Sequence, residues 1–232
     1  MNTSYGFTKT GVGFQLPNAE VIDRDAHIVN LCTGKTVLHL GCVDYPLLDE
    51  RLRTNQLLHQ KLLAVAKKVW GVDLDRDGIE VLSEMHKIPD LLVADVEELP
   101  SLKSLFGNID VVVAGEILEH VNNGGKVLSG IRELLPPGGK LIVSVPNALA
   151  LRIFFHTLRH RENVHPDHVV YYSPYTLTNF LDRFGFVTHD LYTYWYPSTR
   201  PLVNNIKEFL FRQVSKRWSF IGDGIVAIAT RG

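Results

Sequence analysis

The sequence has 232 residues, of which 45% are hydrophobic, so it can bury a full core and has the length of one ordinary α/β domain. Its 24 Lys and Arg residues balance 25 Asp and Glu residues, which disfavours a nucleic-acid partner, and two cysteines are too few for a disulfide framework. The polar N-terminus and the lack of any apolar stretch near the roughly 20 residues of a membrane span predict a cytoplasmic protein.

The first half of the chain alternates between helical and strand patterns. Residues 1–17 are polar, with glycines among aromatic side chains, and we interpret them as an N-terminal arm or flap, or as a disordered tail. Apolar residues then recur at helical spacing from Asn18 to Leu31, and this helix leads into a strand at Thr36 to Leu40. The next predicted elements are a helix over 47–68, a strand over 69–72, a helix over 75–85 and a strand over 91–94.

The second half continues the alternation. The apolar run from Ile109 to Ala114 is typical of a central parallel strand covered on both faces. A helix over 125–135, a strand over 140–145 and a Ser173-capped helix that ends before Gly185 follow, and 186–196 with 225–229 form a terminal antiparallel pair. We therefore predict a single domain, 1–232, with a doubly wound, mostly parallel seven-stranded sheet and an insertion at 147–172.

Two of these strands end in residues suited to binding a nucleoside. Gly41 follows the first strand and Asp73 ends the second, and the carboxyl ends of parallel strands meet at one edge of the sheet. Glycine lets main-chain N–H groups approach a ligand, and a carboxylate can accept two hydrogen bonds from a ribose diol. Asp73 as a helix N-cap or turn residue is the structural alternative.

The ordered motifs of the chain resemble those of class I S-adenosylmethionine-dependent methyltransferases. The similarity is greatest to the branch of quinone-biosynthesis and small-molecule O-methyltransferases, and it covers roughly residues 34 to 230. It implies a Rossmann-like fold, S-adenosylmethionine as cofactor, S-adenosylhomocysteine as product, and no metal. The motifs that carry it are 37–44, 71–73, 94–96, 115–121 and 134–140.

The resemblance also assigns residues to the methyl donor. The backbone at Gly41 and Cys42 would lie against the methionine portion, and Glu116 would line the methionine or acceptor side of the cleft. Asp73, followed by Leu74, would hold the ribose hydroxyls. Asp95 and the Val96 N–H would bind adenine, with a helix N-cap as the alternative for Asp95.

The chain departs from the family pattern in the loop after the first strand. His39 stands where the family usually has an acidic residue, and Val43 and Tyr45 stand where it has further glycines. We expect Asp44 or a shifted main chain to replace the missing contacts. His39 either contacts the donor through water or packs between strand and helix.

The acceptor side contains the candidate bases. Methylation of a hydroxyl benefits from a base, and histidine is the usual choice near neutral pH. The order of preference is His168, His165 and His120, although His168 can instead orient the tyrosines that follow it and His120 can cap a helix. Residues expected to touch the acceptor are Asn147, Tyr172 and Trp195.

The leading hypothesis is methyl transfer to a hydroxyl of a small molecule that is a sugar, a phenol or quinone-like. Alternatives are a non-catalytic binding module of the same fold and an NAD-dependent oxidoreductase, although the turn after the first strand lacks the spaced glycines of the latter. A basic, amphipathic segment at 202–218 suggests weak contact with a membrane surface or a homodimer.

Overall fold

The computed structural model describes residues 5–11, 13–196, 213–214 and 217–232. The strands are β1 (Thr8–Thr10), β2 (Gly13–Gln15), β3 (Glu20–Val21), β4 (Thr36–Leu40), β5 (Lys68–Asp73), β6 (Leu91–Val93), β7 (Val111–Gly115), β8 (Lys140–Pro146), β9 (Phe186–Tyr194) and β10 (Gly224–Arg231). The α-helices are α1 (Arg24–Cys32), α2 (Leu48–Arg53), α3 (Leu58–Leu63), α4 (Arg76–Glu80), α5 (Gly124–Leu134), α6 (Leu151–Thr157) and α7 (Pro174–Arg183).

The predicted doubly wound sheet is confirmed, with one strand more than the sequence indicated. Among the described residues it has eight strands in the order β3-β9-β10-β8-β7-β4-β5-β6. The pairs of β4, β5, β6, β7 and β8 are parallel, whereas β10 runs antiparallel to both β8 and β9. The added strand is β3, whose two residues pair parallel with β9. A strand this short gives no periodic pattern, so the sequence did not reveal it.

Helix boundaries follow local chemistry. The Asp23 carboxylate accepts the Ala26 N–H and starts α1, so the predicted helix over 18–31 begins later than expected. The predicted helix over 47–68 is wrong as one element, because α2 and α3 are separated by a turn in which Asn55 has φ +53°. A capping box between Ser173 and Thr176 starts α7 as expected.

The core lies on both faces of the sheet. One face packs against α5 and α7 through residues such as Leu128, Ile131 and Leu177, all fully buried. The other face packs against α1 and α3 through Ile28 and Leu62. Burial on both faces explains the continuous apolar runs of the central strands.

The N-terminal residues described here form a hairpin that contacts α7. Strands β1 and β2 pair antiparallel, the ring of Phe7 is buried, and Phe14 stacks on Tyr175 with ring centroids 3.9 Å apart. The interpretation of 1–17 as an arm or flap stays a prediction. Most of 202–218 lies outside the described residues. Within the described part of the chain, no helix has both the length and the apolar character that crossing a bilayer requires.

Candidate active site

A cavity of about 1990 Å³ opens at the carboxyl ends of β4, β5 and β7. Gly41, Asp73 and Glu116 line its wall at these strand ends, with Tyr194 beside Glu116. The segment before α7 also lines it, through Asn163, Val164, His165, Asp167 and His168. Pockets for a single small ligand usually measure roughly 300–1,000 Å³. The cavity therefore has room for two ligands side by side.

Asp73 joins two turns at one end of this cavity. Its Oδ2 accepts the Val43 N–H at 2.9 Å, and its Oδ1 accepts the Asp75 N–H at 3.0 Å. Burial raises the pKa of this carboxyl, while the two N–H donors act in the opposite direction. Each carboxylate oxygen has a second lone pair, so the side chain can still accept hydrogen bonds from a ligand.

Both the backbone conformation and a neighbouring side chain require glycine at position 41. Its φ of +73° lies in the left-handed region, which glycine adopts without strain. A Cβ built at this position would lie 2.3 Å from Ile117 Cδ1. An added side chain at position 41 would therefore point at Ile117, while Gly41 itself lines the cavity.

The residues that replace the expected glycines have different surroundings. Val43 is fully buried in a small cluster with Ile79 and Leu82, so its side chain points under the loop. Tyr45 is 75% exposed and lies at the cavity rim, where it leaves the interior open. Asp44 forms an ion pair with Arg51 at 2.9 Å and also borders the cavity.

His39 pairs with a second histidine that the sequence did not single out. The Nδ1 atoms of His39 and His59 are 3.2 Å apart, so one ring donates and the other accepts. His39 is only 3% exposed, although it contributes to the cavity wall. Burial lowers the pKa of His39 well below its usual value and that of His59 to about 4, so both rings are neutral near pH 7.

Glu116 is held by two tyrosines. Tyr194 donates its hydroxyl to Oε1 and Tyr196 donates to Oε2, both at 2.6 Å. The Arg24 guanidinium lies over the Tyr194 ring, 5.8 Å from its centroid. Glu116 itself has φ +54°, so a strained backbone places this carboxylate at the cavity wall.

Arg24 is anchored beside this group. Its Nε donates to Ser144 Oγ at 2.9 Å, and its Nη1 contacts Asp25, which also pairs with Lys61 at 2.7 Å. All three charged residues line the cavity. The wall near Glu116 therefore contains alternating positive and negative groups suited to a zwitterionic ligand.

Glu119 is buried in the cavity wall without a hydrogen-bond partner. The residue is fully buried, and neither carboxyl oxygen has a partner among the described residues. Burial, followed by the charge of Glu116, raises its pKa to about 9. A protonated carboxyl of this kind is a polar group available to a second ligand.

Three of the histidines that line this cavity lie close together. His120 follows β7, and His165 and His168 belong to the segment between α6 and α7. The ring centroids of His120 and His168 are 4.5 Å apart, and His165 lies 5.7 Å from His120 and 5.5 Å from His168. Burial lowers the pKa of His120 and of His168, and each is lowered further by neighbouring histidines.

Comparison with known proteins shows which family the chain belongs to. Residues 22–191 match the model of a family described as a methyltransferase domain. This chain belongs to the methyltransferase-domain family. The predicted resemblance and the Rossmann-like fold are thereby confirmed.

Relatives of this methyltransferase-domain protein include enzymes with named activities. It is 30% identical over 129 residues to the ubiquinone biosynthesis O-methyltransferase of Paraburkholderia xenovorans, covering 54% of this chain and 49% of that protein. It is 29% identical over 171 residues to a probable S-adenosylmethionine-dependent methyltransferase of Mycolicibacterium smegmatis, covering 73% of this chain and 58% of the relative. The chain spans about half the length of the curated relatives it matches.

Solved structures of methyltransferases share the fold. The SAM-dependent methyltransferase of Archaeoglobus fulgidus has a TM-score of 0.57 at 18% identity, covering 90% of this chain and 91% of the other. The N-methyltransferase NodS of Bradyrhizobium japonicum in complex with S-adenosyl-L-homocysteine has a TM-score of 0.55 at 13% identity, covering 90% and 85%. At these identities the similarity concerns the fold alone.

The methyltransferase-domain protein has residues that fit S-adenosylmethionine, the donor of its family. Asp73 faces the cavity with lone pairs to spare, and Arg24, Asp25 and Glu116 provide both signs of charge for a methionine-like end. The cavity also exceeds what one ligand needs. The strand-end wall therefore offers groups that fit the ribose and methionine parts of such a donor.

The predicted adenine contacts lie outside this cavity. Asp95 accepts the Glu97 N–H at 2.8 Å and caps the 3-10 helix Val96–Leu102, which was the structural alternative. Neither Asp95 nor the buried Val96 lines the cavity, whereas Leu74, at the end of β5, lines its edge. Asp95 and Asp73 therefore do not share one cavity wall, contrary to expectation.

Two predicted acceptor residues are placed in the core instead. Asn147 is fully buried, and its Nδ2 donates to the Phe220 and Gly222 carbonyls at 2.8 Å each. Tyr172 is buried against Phe180, with ring centroids 6.0 Å apart. Both lie outside the cavity, and the prediction that they touch the acceptor is wrong on placement. Trp195 and Cys42 do line it.

The contacts of several site residues could not be predicted because their partners are distant in sequence. Tyr194 and Tyr196 are two positions apart, so they share a face of an extended segment, and this spacing was visible. Their partner Glu116 is 78 and 80 residues away. Arg24 had no local signal, and Glu119 is distinguished only by its burial.

Proposed function

We propose that this protein transfers a methyl group from S-adenosylmethionine to a hydroxyl of a small-molecule acceptor. The observation that carries the proposal is a single cavity with Asp73 and Arg24 at one part of its wall and Glu119 and the histidines at another. S-adenosylmethionine supplies a methyl group already activated on a positively charged sulfur. The protein has to bind both molecules, align them and exclude water.

The donor would be held by the strand-end wall. Asp73 accepts the ribose hydroxyls while its existing N–H contacts keep the carboxylate in place. Arg24, fixed by Ser144 and Asp25, binds the methionine carboxylate with its other N–H groups, and Glu116 faces the amino group. The Gly41, Cys42 and Asp44 backbone borders the same part. The hydrogen bond to His59 holds the His39 ring in this wall.

The acceptor would lie between the donor and the histidines. His168 accepts the hydroxyl proton, with His165 and His120 as the neighbouring candidates, and Glu119 and Trp195 contact the rest of the acceptor. The acceptor oxygen forms the new bond to carbon as the methyl–sulfur bond breaks, and that electron pair remains on sulfur. Alignment in a dry cavity can supply on the order of 7–11 kcal/mol of the barrier, and a base adds roughly 10²–10⁴-fold.

The structure also offers one observation in favour of a non-catalytic binding module. Ile117 packs against Gly41, and Val43 replaces a glycine of the family pattern, so the turn has less space than the family usually provides. This candidate keeps donor or product binding and loses turnover.

Calorimetry with S-adenosylmethionine, S-adenosylhomocysteine and NAD distinguishes a methyl-donor site from the site of an NAD-dependent oxidoreductase. We expect the first two to bind with 1:1 stoichiometry and NAD to leave no heat signal. Radiolabelled methyl transfer is then measured on a panel of phenols, catechols, quinols and sugars, with amines included to distinguish O- from N-methylation. Binding of the first pair without turnover on this panel supports the non-catalytic module, and absence of binding contradicts the proposal.

A further inference from the structure

The histidines on the cavity wall are close enough to act together. In His120, His165 and His168, one ring nitrogen of each lies within 4.8 Å of those of the other two. At the usual Zn–N distance of roughly 2.0–2.1 Å, tetrahedral ligands are about 3.4 Å apart. A movement of about 1.5 Å or less would therefore bring three imidazoles onto one cation.

The local environment permits this movement. His120 and His165 are exposed and His168 is half-buried, so the first two rings have space to turn. His168 Nδ1 is buried and has no hydrogen-bond partner among the described residues. A buried ring nitrogen of this kind is the exception in folded proteins, and a bound cation would provide the missing partner.

Asp167 is placed to support a ligating imidazole. Its Oδ2 lies 3.7 Å from His165 Nδ1, and its N–H donates to the same nitrogen at 3.3 Å. To bind a cation through Nε2, the His165 ring must take the other tautomer, in which Nδ1 gives up the Asp167 N–H and donates its own proton toward the Asp167 carboxylate. Histidine ligands of metals are commonly oriented by a carboxylate in this way.

We propose that His120, His165 and His168 form a binding site for Zn²⁺ on the acceptor wall of the cavity. Imidazole nitrogens favour zinc and its neighbours in the transition series over Mg²⁺ and Ca²⁺, which prefer oxygen ligands. Three histidines leave a fourth position open, as in catalytic zinc sites. The family resemblance implied no metal, so the assignment rests on the side-chain geometry of this chain.

The catalytic role of the cation rests on the proposed function, in which it would take the place of His168 as the group that activates the acceptor hydroxyl. The open position would bind the acceptor hydroxyl and lower its pKa, as zinc does for bound water. A metal ligand and a base need the same nitrogen lone pair, so in the zinc-loaded protein the hydroxyl proton goes to solvent. An acceptor would bind the cation through one accessible hydroxyl, or through two adjacent hydroxyls.

The test uses the full chain without an affinity tag, stripped with chelator and dialysed. Zn²⁺ binding is measured by calorimetry and by metal analysis, and Co²⁺ is added to record the visible absorption of a tetrahedral site. The variants are His165→Ala and His168→Ala, and the matched control is His86→Ala, which removes an exposed histidine that does not line the cavity. Circular dichroism checks that each variant is folded.

We expect one Zn²⁺ per chain in the parent protein and in His86→Ala. Loss of a direct ligand should weaken binding by more than about 100-fold, beyond the effect typical of supporting residues. No zinc binding, or binding unchanged in both cavity variants, overturns the site. S-adenosylhomocysteine binding is measured in the same samples, since its loss would contradict the proposed function, whereas its retention without zinc binding removes only the metal site.

Discussion

The Val43 N–H donates a hydrogen bond to Asp73 Oδ2 over 2.9 Å, and this contact joins the turn after β4 to the end of β5. Because Asp73 also accepts the Asp75 N–H, its carboxylate fixes two turns at the proposed donor end. A ligand that binds this carboxylate therefore meets a preformed loop.

Asp73→Asn should weaken binding of S-adenosylhomocysteine by about 10- to 100-fold, because hydrogen bonds to a charged group contribute roughly 1.5–3 kcal/mol. The amide oxygen can keep one backbone contact, so the fold should survive. Calorimetry measures the affinity, and Asp77→Ala, an exposed acidic residue on α4, is the control. Equal affinity in parent and Asp73→Asn would exclude Asp73 from the donor site.

Gly41→Ala should destabilise the protein by about 1–3 kcal/mol, because the new methyl group meets Ile117 and the left-handed backbone disfavours alanine. Adding Ile117→Ala should recover the steric part and leave the backbone part. Urea unfolding of the two single variants and the double variant gives the coupling energy. If the changes in unfolding free energy of the two single variants add up to that of the double variant, Ile117 does not fill the space beside Gly41.

Tyr194→Phe should lower the free energy of unfolding by roughly 1 kcal/mol, since it leaves the half-buried Glu116 Oε1 without its donor. Tyr196→Phe should act similarly through Oε2. Tyr192→Phe on the same strand is the control, with an expected change within about 0.5 kcal/mol. Chemical unfolding compares the three, and equal stability of all variants would contradict the role of these hydroxyls.

The protein should lose stability as the pH falls below about 6.5, because His59 has a lower pKa in the folded chain than in the unfolded chain. Between these values the unfolded state binds more protons, so stability rises with pH. With a folded pKa of about 4, His59 alone accounts for about 3 kcal/mol of this change. His39 adds to it, since burial, and then the charges of His59 and Arg24, lower its pKa in the folded chain.

Urea unfolding from pH 4.5 to 8 measures this dependence. His59→Gln should flatten the profile, whereas His86→Gln, at an exposed position, should leave it unchanged. An equally steep profile in His59→Gln would place the acid sensitivity elsewhere.

Much of the sheet was predictable, because each central strand is buried on both faces and therefore appears as an apolar run, as in Val111–Gly115. Gly41 and Asp73 were also recognisable, since their positions at strand ends follow from chain order. Asp95 was ambiguous, because a carboxylate before a helix can cap that helix or bind a ligand, and here it caps.

The remaining site depended on contacts between distant parts of the chain. Tyr194 and Tyr196 meet Glu116 only because β9 returns to the sheet beside β10. Asn147 looked like a ligand contact, yet its amide is used by the Phe220 and Gly222 carbonyls, which no local pattern signals. Burial of Glu119 and the pairing of His39 with His59 likewise emerge only after folding.

The position of β10 has a consequence for biosynthesis. Its residues, Gly224–Arg231, lie between β8 and β9 although they follow both in the chain. While the ribosome still holds this segment, β8 and β9 each expose an unpaired edge, and Tyr194 and Tyr196 cannot yet be held beside Glu116. Until residues 224–231 emerge from the ribosome, nascent chains should therefore depend on a chaperone that covers those edges.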